Sequence, residues 1–375
     1  MSSAPLTATR AKPGHAAKVE DMRDSNTRYR ACDVVGFAER LFEAAGFEQG
    51  RARLVAELLI EADLMGHNTH GLHLAAPYLE ELKAGTMQPR GEPIVVSDRG
   101  AASAWDGCRL PGVWLVAKAV DQCVERSATY GIASVSIRDS HHIACLAVYL
   151  ERATKCGKMV MIACSDPSDA SVAPFGGLKA VFTPDPLAVG IPTDTGPILI
   201  DMSASITTNG MTGRLRKEGR RFAGPWAMTA LGEATDDPNA LFTEPPGTLL
   251  PTGGKDHGHK GYGLALTVEA LTQGLSGFGR SSKPTVWGAS VYVQVMDPEA
   301  YGGSAAFLRE SSYVAGLCRT NPPAPGVEEV RLPGDQALRR KAAALRDGLV
   351  LYPGLLDGLR SHAEEFKVPM PDPIG

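Results

Sequence analysis

Histidine is unevenly distributed along this chain. Seven of its nine histidines lie in three short windows: His67, His70 and His73; His141 and His142; His257 and His259. Imidazole is the side chain whose ordinary pKa suits proton transfer near neutral pH, so the windows suggest chemistry that moves a proton to or from a reacting group. The first window has i, i+3, i+6 spacing, and Asn68 and Gly71 within it favour a helix end or loop over a continuous helix. Metal ligation is a rival reading. It needs Asp, Glu or Cys at ligand spacing, and no His-Glu-x-x-His or comparable motif accompanies these residues. A structural or surface cluster is the third reading, and spacing alone does not separate it from the first.

Three Gly-rich segments raise the question of a phosphate cradle: Pro174–Gly177, Gly253–Gly263 and Gly274–Gly279. None is Gly-x-Gly-x-x-Gly between a strand and a helix, and none is Gly-x-x-x-x-Gly-Lys-Ser/Thr, so both common nucleotide fingerprints are absent. The second segment runs into a predicted helix over Leu264–Leu275, with Lys260 just before it. A helix start with a cation beside it suits a phosphate, but ordinary turns explain such Gly-rich loops more often than anions do. There is no Gly-x-Ser-x-Gly elbow, which argues against an α/β-hydrolase. Asp166, Asp169, Asp185, Asp194 and Asp201 are scattered without paired-carboxylate spacing. The seven cysteines form no Cys-x-x-Cys pair, which favours reduced core thiols over a disulfide framework or a zinc site.

The elements that must position these residues follow from periodicity. Apolar spacings of three and four predict helices from Val34 to Lys83, with stops at Gly66 and Gly85. Short strands are expected at Ile94–Ser97, Ala102–Asp106, Ile132–Ile137, Met159–Ala163, Val181–Phe182, Ala188–Ile191, Ile198–Ile200 and Ser290–Val295. Helices are expected over Trp114–Tyr130 and Ala147–Lys155, and again over Gln336–Lys367. Residues 1–30 read as a flexible tail. Helical ends around a strand-rich middle predict an α+β chain with a discontinuous helix-rich domain, 31–120 and 311–375, and an inserted domain, 121–310.

Composition bounds the function. The 375 residues carry 38 Lys plus Arg against 42 Asp plus Glu, a net charge of −4, which gives no electrostatic reason for nucleic-acid binding. No apolar run approaches the length of a membrane span, and the first two dozen residues lack the apolar centre of a secretory signal. A cytoplasmic protein acting on a small molecule is expected.

Taken in order, several segments resemble one family, the type-2 malate/L-lactate dehydrogenases, which also includes ureidoglycolate dehydrogenase, a diketogulonate reductase and a cyclic-imine reductase. Ala62-Asp-Leu-Met-Gly-His-Asn-Thr-His-Gly71 resembles its A-D-x-x-G-x-x-S-H-G motif. Gly131–His142 resembles the strand ending in its second histidine motif. Ser165-Asp-Pro167, Pro174–Gly177, Pro186–Pro192, Asp201-Met-Ser-Ala-Ser205, Pro225-Trp-Ala227, Lys260–Leu264 and Val330–Gly334 follow in the same order. The resemblance implies a non-Rossmann fold, a homodimer, and hydride transfer between NAD or NADP and a small 2-hydroxyacid or 2-oxoacid. It implies His142 and His70 as proton-transfer residues and Ser165, Asp201, Met202, Ser203 and Lys260 as dinucleotide contacts. Thr69 and His73 are expected at the substrate, and no metal is implied. A cyclic-imine reductase and a ligand-binding relative without turnover are the alternatives.

Four departures stand out. Thr69 replaces the motif's Ser and keeps a hydroxyl, and Ala144 replaces Gly. Asp185, in Pro184-Asp-Pro186, stands where Asn is usual. Leu74 stands where many members carry a carboxylate-binding Arg, a pairing Leu cannot make. Weak use of malate is therefore expected.

Overall fold

In the computed structural model, which describes residues 27–374, the chain opens with strand β1 (Arg28–Tyr29) and helices α1 (Ala31–Ala44), α2 (Gln49–Met65) and α3 (Ala75–Ala84). Gly66 and Gly85 take left-handed backbone and cap α2 and α3, as the sequence pattern requires. Strands β2 (Ile94–Asp98) and β3 (Ala102–Asp106) lead to helix α4 (Gly112–Tyr130), strand β4 (Ile132–Ser140), helix α5 (Ala147–Thr154) and strands β5 (Met159–Ser165), β6 (Pro186–Ile191) and β7 (Ile198–Ser203). Next come α6 (Asn209–Lys217), the short strands β8 (Ala227–Met228), β9 (Ala234–Thr235) and β10 (Thr248–Leu249), then α7 (Gly254–His257) and α8 (His259–Glu269). Strand β11 (Ala289–Met296), α9 (Ser304–Arg319), α10 (Asp335–Asp347), β12 (Leu349–Val350) and α11 (Leu355–Phe366) complete the chain.

The main sheet has seven strands in the order β2-β3-β4-β11-β5-β6-β7. Only β3 and β4 are parallel, joined by α4; every other neighbour is antiparallel. This is not the parallel, doubly wound sheet that a dinucleotide fingerprint accompanies. Helices α4 and α5 pack on the sheet, and α2 packs on both of them. Helix α8 and the π-helical turn after it, Ala270–Gly274, also pack on the sheet. One apolar core runs through α1, α2, α4 and the central strands, with Phe37, Leu59, Leu115, Ile137, Ile162 and Val291 fully buried.

Several expectations need correction. Arg28 and Tyr29 are not tail: they pair antiparallel with Val350 and Leu349, partners too distant in sequence for local patterning to reveal. Residues 1–26 lie outside the described part. The boundaries at 120 and 310 fall inside the continuous helices α4 and α9. Val181–Phe182 forms only a single bridge, between Phe182 and Val172. The helix expected from Leu264 begins at His259, so Lys260 lies within its first turn. The helix expected over 336–367 is interrupted, because Gly348 leaves helical backbone and strand β12 follows. The sequence reading missed α6, α9 and the three-stranded sheet β10-β8-β9.

Candidate active site

Strand register brings distant residues to one end of the main sheet. Ser140, which ends β4, pairs with Ala289, and Ser290 pairs with Ser165, which ends β5. Pro186, which opens β6, pairs with Ser203, which ends β7. Neighbours run antiparallel, so β4, β5 and β7 leave the sheet where β11 and β6 enter it. The segments carrying His142, Trp287, Ser165, Asp185 and Met202 therefore all emerge at the same edge.

His142 follows β4 directly. Its Nδ1 lies 2.9 Å from the hydroxyl of Tyr78 and 3.3 Å from the backbone N–H of Ala144. The Ala144 N–H can only donate, so the network assigns Nδ1 as an acceptor and leaves the proton on Nε2. The Trp287 ring lies 4.6 Å from the His142 ring, centroid to centroid. The His70 ring faces His142 from the other side, with centroids 6.0 Å apart and planes 23° from parallel. Thr69 Oγ1 lies 2.9 Å from Nδ1 of His70. Burial lowers the pKa of both histidines. His70 falls to about 4, with the positive surroundings of His67, Arg214 and His73 adding to burial. His142 lies well below its usual value, with His70 and His141 adding. Both are neutral imidazoles at pH 7. His141 is buried beside them, 3.4 Å from Glu81, and burial and Arg109 hold its pKa near 4.

The loop carrying His70 is anchored from α2. Asp63 is buried and accepts the Leu72 N–H at 2.7 Å. A Cβ on Gly71 would land on this carboxyl group, so only glycine fits there. Burial raises Asp63 to about 7, although the Leu72 N–H and Arg214 oppose the shift. Helix α6 closes the other side. A Cβ on Gly210 would lie 3.6 Å from Thr69 Cβ and 3.9 Å from His70 Cε1. Arg214, one turn later, donates to Asn68 Oδ1 at 2.6 Å and to the Asn68 carbonyl at 3.3 Å. Burial lowers the pKa of His73 as well, with Arg214 and Lys217 adding. His73 is solvent-exposed on the 72–74 turn. Arg214 thus sets a fixed positive charge beside the loop that carries the neutral His70.

The expected dinucleotide residues are placed unevenly. Buried Ser165 donates to Glu269 at 2.6 Å and accepts from Gln273 at 2.8 Å, and Arg280 pairs with the same Glu269 at 2.8 Å. Asp185 lies in this polar region. Thr183 donates to its Oδ1 at 2.7 Å, its Oδ2 finds no hydrogen-bond partner among the described residues, and burial together with Glu269 raises it to about 7. Asp201 accepts the Ala147 N–H at 2.9 Å and so fixes the start of α5 behind the His142 loop. Ser203 donates to the Ser205 carbonyl at 2.7 Å. The side chains of Ser165, Asp201 and Ser203 are thus committed to the protein. Met202, 47% exposed, and exposed Lys260 are free to meet a ligand. Lys260 sits beside Gly261, where any Cβ would strike Thr252 and the Ala204 carbonyl, so α8 is seated against the end of β7.

Gly253 and Gly258 in the same segment are crowded by backbone at His257 and Gly254, so they serve close packing and form no open cradle. Among the described residues no group of three or more His, Cys, Asp or Glu is arranged to hold a metal. Cys123, Cys145 and Cys164 are buried, whereas Cys32, Cys156 and Cys318 are exposed, so core thiols describe only part of the set. The sequence reading missed Trp287 and Arg214 altogether and gave Tyr78 no role. Tyr78 and Trp287 reach His142, and Arg214 reaches the loop of His70, each from a separate segment, and no local motif links them.

The malate/L-lactate dehydrogenase family model matches residues 30–360. An L-lactate dehydrogenase of Cupriavidus necator is 30% identical over 324 residues, covering 84% of this chain and 91% of that protein. A Δ1-pyrroline-2-carboxylate/Δ1-piperideine-2-carboxylate reductase of Pseudomonas syringae pv. tomato is 29% identical over 340 residues, covering 88% and 94%. Among solved structures, a malate dehydrogenase from Entamoeba histolytica superposes with a TM-score of 0.87 at 23% identity, covering 92% of this chain and 99% of that one, a likeness of fold.

Proposed function

The chain belongs to the malate/L-lactate dehydrogenase family, and from that premise we propose that it transfers a hydride between NAD or NADP and a small 2-hydroxyacid/2-oxoacid pair. The observation that carries this reading is the pair His70 and His142, both neutral, with the Arg214 cation beside the loop that carries His70. Such a field suits an anionic substrate.

Alcohol oxidation requires the hydroxyl proton to leave as hydride leaves the same carbon. A nicotinamide cofactor accepts that hydride and returns it in the reverse direction. We assign the proton transfer to His70: with Nδ1–H donating to Thr69 Oγ1, 2.9 Å away, the Nε2 lone pair is free to take the proton. His142 holds the same substrate oxygen through Nε2–H, a tautomer set by Ala144 and Tyr78. The resemblance implied proton transfer by both histidines; the division of work is our proposal, and the Ala144 N–H at His142 Nδ1 supports the His142 half of it.

The residues present fit a dinucleotide. Lys260 supplies an exposed cation and Met202 an exposed apolar surface, beside a main-chain contact that tolerates no side chain at Gly261. Ser165, Asp201 and Ser203 shape that wall and meet the ligand through their main chain. Thr69 and His73 lie on the substrate side.

We also place the protein in the cytoplasm as a homodimer. Exposed free thiols suit a reducing compartment, and β2, at the edge of the sheet, exposes Ile94, Val95 and Val96. No described helix is long and apolar enough to cross a membrane.

The test has two readouts: nicotinamide fluorescence on mixing NADH or NADPH with protein, then loss of reduced-nicotinamide absorbance with a panel of 2-oxo acids and cyclic imines. Turnover of a 2-oxo acid is expected. Cofactor binding without turnover across the panel would overturn the proposal.

A further inference from the structure

A neutral imidazole pair moves protons but cannot neutralise a carboxylate, so an anionic substrate needs a cation in the pocket. The turn after His70 does not supply a strong one: Leu72 and Leu74 are buried, 0% and 8% exposed, within the apolar core. A cation stands on α6, tied to Asn68 in the loop that carries His70. Resting on the dehydrogenase reading above, we propose that Arg214 of α6 binds the substrate carboxylate and sets specificity for anionic substrates.

Three observations point to it. Arg214 is partly buried and forms no ion pair with a carboxylate within 4.0 Å among the described residues, unlike Arg280 or Arg319 in this chain. It is nevertheless held in place. Its guanidinium lies over the Tyr352 ring, 4.1 Å from the centroid, and two of its five N–H donors are taken by Asn68. The remaining donors form part of the planar fork that matches a carboxylate. Finally, it is tied to the loop that carries His70. Gly210, one helical turn earlier, packs against Thr69 and His70, and Asn68 ties Arg214 to the same loop. The charge of Arg214 is felt at His70 and His73.

The probes are oxamate, a charged oxo-acid isostere, and its uncharged ethyl ester, with binding measured calorimetrically on full-length protein saturated with reduced cofactor. Arg214→Gln is expected to weaken oxamate by about 10- to 100-fold, with the ester changed less than about twofold and Arg214→Lys intermediate. Equal loss of both probes, loss of neither, or absence of oxamate binding by the wild type would overturn the proposal. Because Arg214 also ties α6 to the Asn68 loop, a second measurement uses the unaltered protein. Oxamate, and not its ester, should protect Arg214 from phenylglyoxal, read by peptide mass spectrometry; equal protection or none counts against it. The two readings fail separately. Arg214-dependent oxamate binding without turnover of any oxo acid removes the dehydrogenase reading. Turnover with Arg214-independent binding removes only the Arg214 assignment.

Discussion

At the scale of single residues, the two histidines are distinguished by what holds their Nδ1 atoms. His142 is held by donors and His70 by a hydroxyl that can accept. His142→Asn keeps an N–H donor and is expected to retain part of the activity, whereas His70→Asn, which removes the proton carrier, should lower kcat by about a hundredfold or more. Equal losses in steady-state kinetics would count against the division of roles. Tyr78→Phe keeps the buried ring and deletes the hydroxyl at His142, so kcat/KM should fall by about tenfold with cofactor affinity unchanged. The pH dependence follows from the lowered pKa of His70, about 4. The base form persists down to that pH, so kcat/KM for alcohol oxidation should stay level through pH 6.5 and fall only on approaching pH 4. A limb centred at 6.5 would show that a solvated histidine does the work. Lys260→Ala should weaken dinucleotide binding more than it alters the chemical step, read as a cofactor dissociation constant beside kcat.

At the scale of elements, the polar cluster between β5, the start of β6 and α8 is under electrostatic tension. Asp185 is buried near Glu269, and its backbone is left-handed at φ +47°, a conformation that Asn also tolerates. Its folded pKa, about 7, lies above the ordinary carboxylate value. As pH rises through that interval the unfolded chain ionises first, so native stability is lost with rising pH. Asp185→Asn removes that loss. It should stabilise the protein by up to about 4 kcal/mol at pH 8 and by little near pH 4, measured by denaturant unfolding at both values. Stabilisation of equal size at both would mean that packing, not ionisation, is responsible. Asp63 and Gly71 pair in a different way. Here the motif's spacing is legible as chemistry, because the carboxyl group holds the loop backbone of His70 and glycine leaves the space.

At the scale of the whole molecule, apolar surface on β2 and on α9, where Tyr313, Val314 and Leu317 are exposed, predicts self-association. Sedimentation equilibrium should give twice the chain mass, and a concentration-independent monomer would refute the homodimer. The sequence by itself determined much of this protein. Helix periods and glycine stops located α2, α3 and α4, apolar runs located all seven strands of the main sheet, and the order of short motifs singled out the two histidines. These are properties of neighbouring residues, set by side-chain spacing and backbone freedom. Elements with weak patterning escaped: α9 buries only Ala315, and β1 exists only because Leu349 and Val350 come to meet it. The site itself was a tertiary decision. Side-chain identity says that His142 can move a proton; only the approach of Tyr78, 64 residues away in sequence, and of Ala144 says which nitrogen carries it. Arg214 reads as one charge in a basic stretch until α6 is laid against Asn68, 146 residues earlier. Contacts between distant segments depend on register and packing summed over the whole core, and no window of sequence contains that sum.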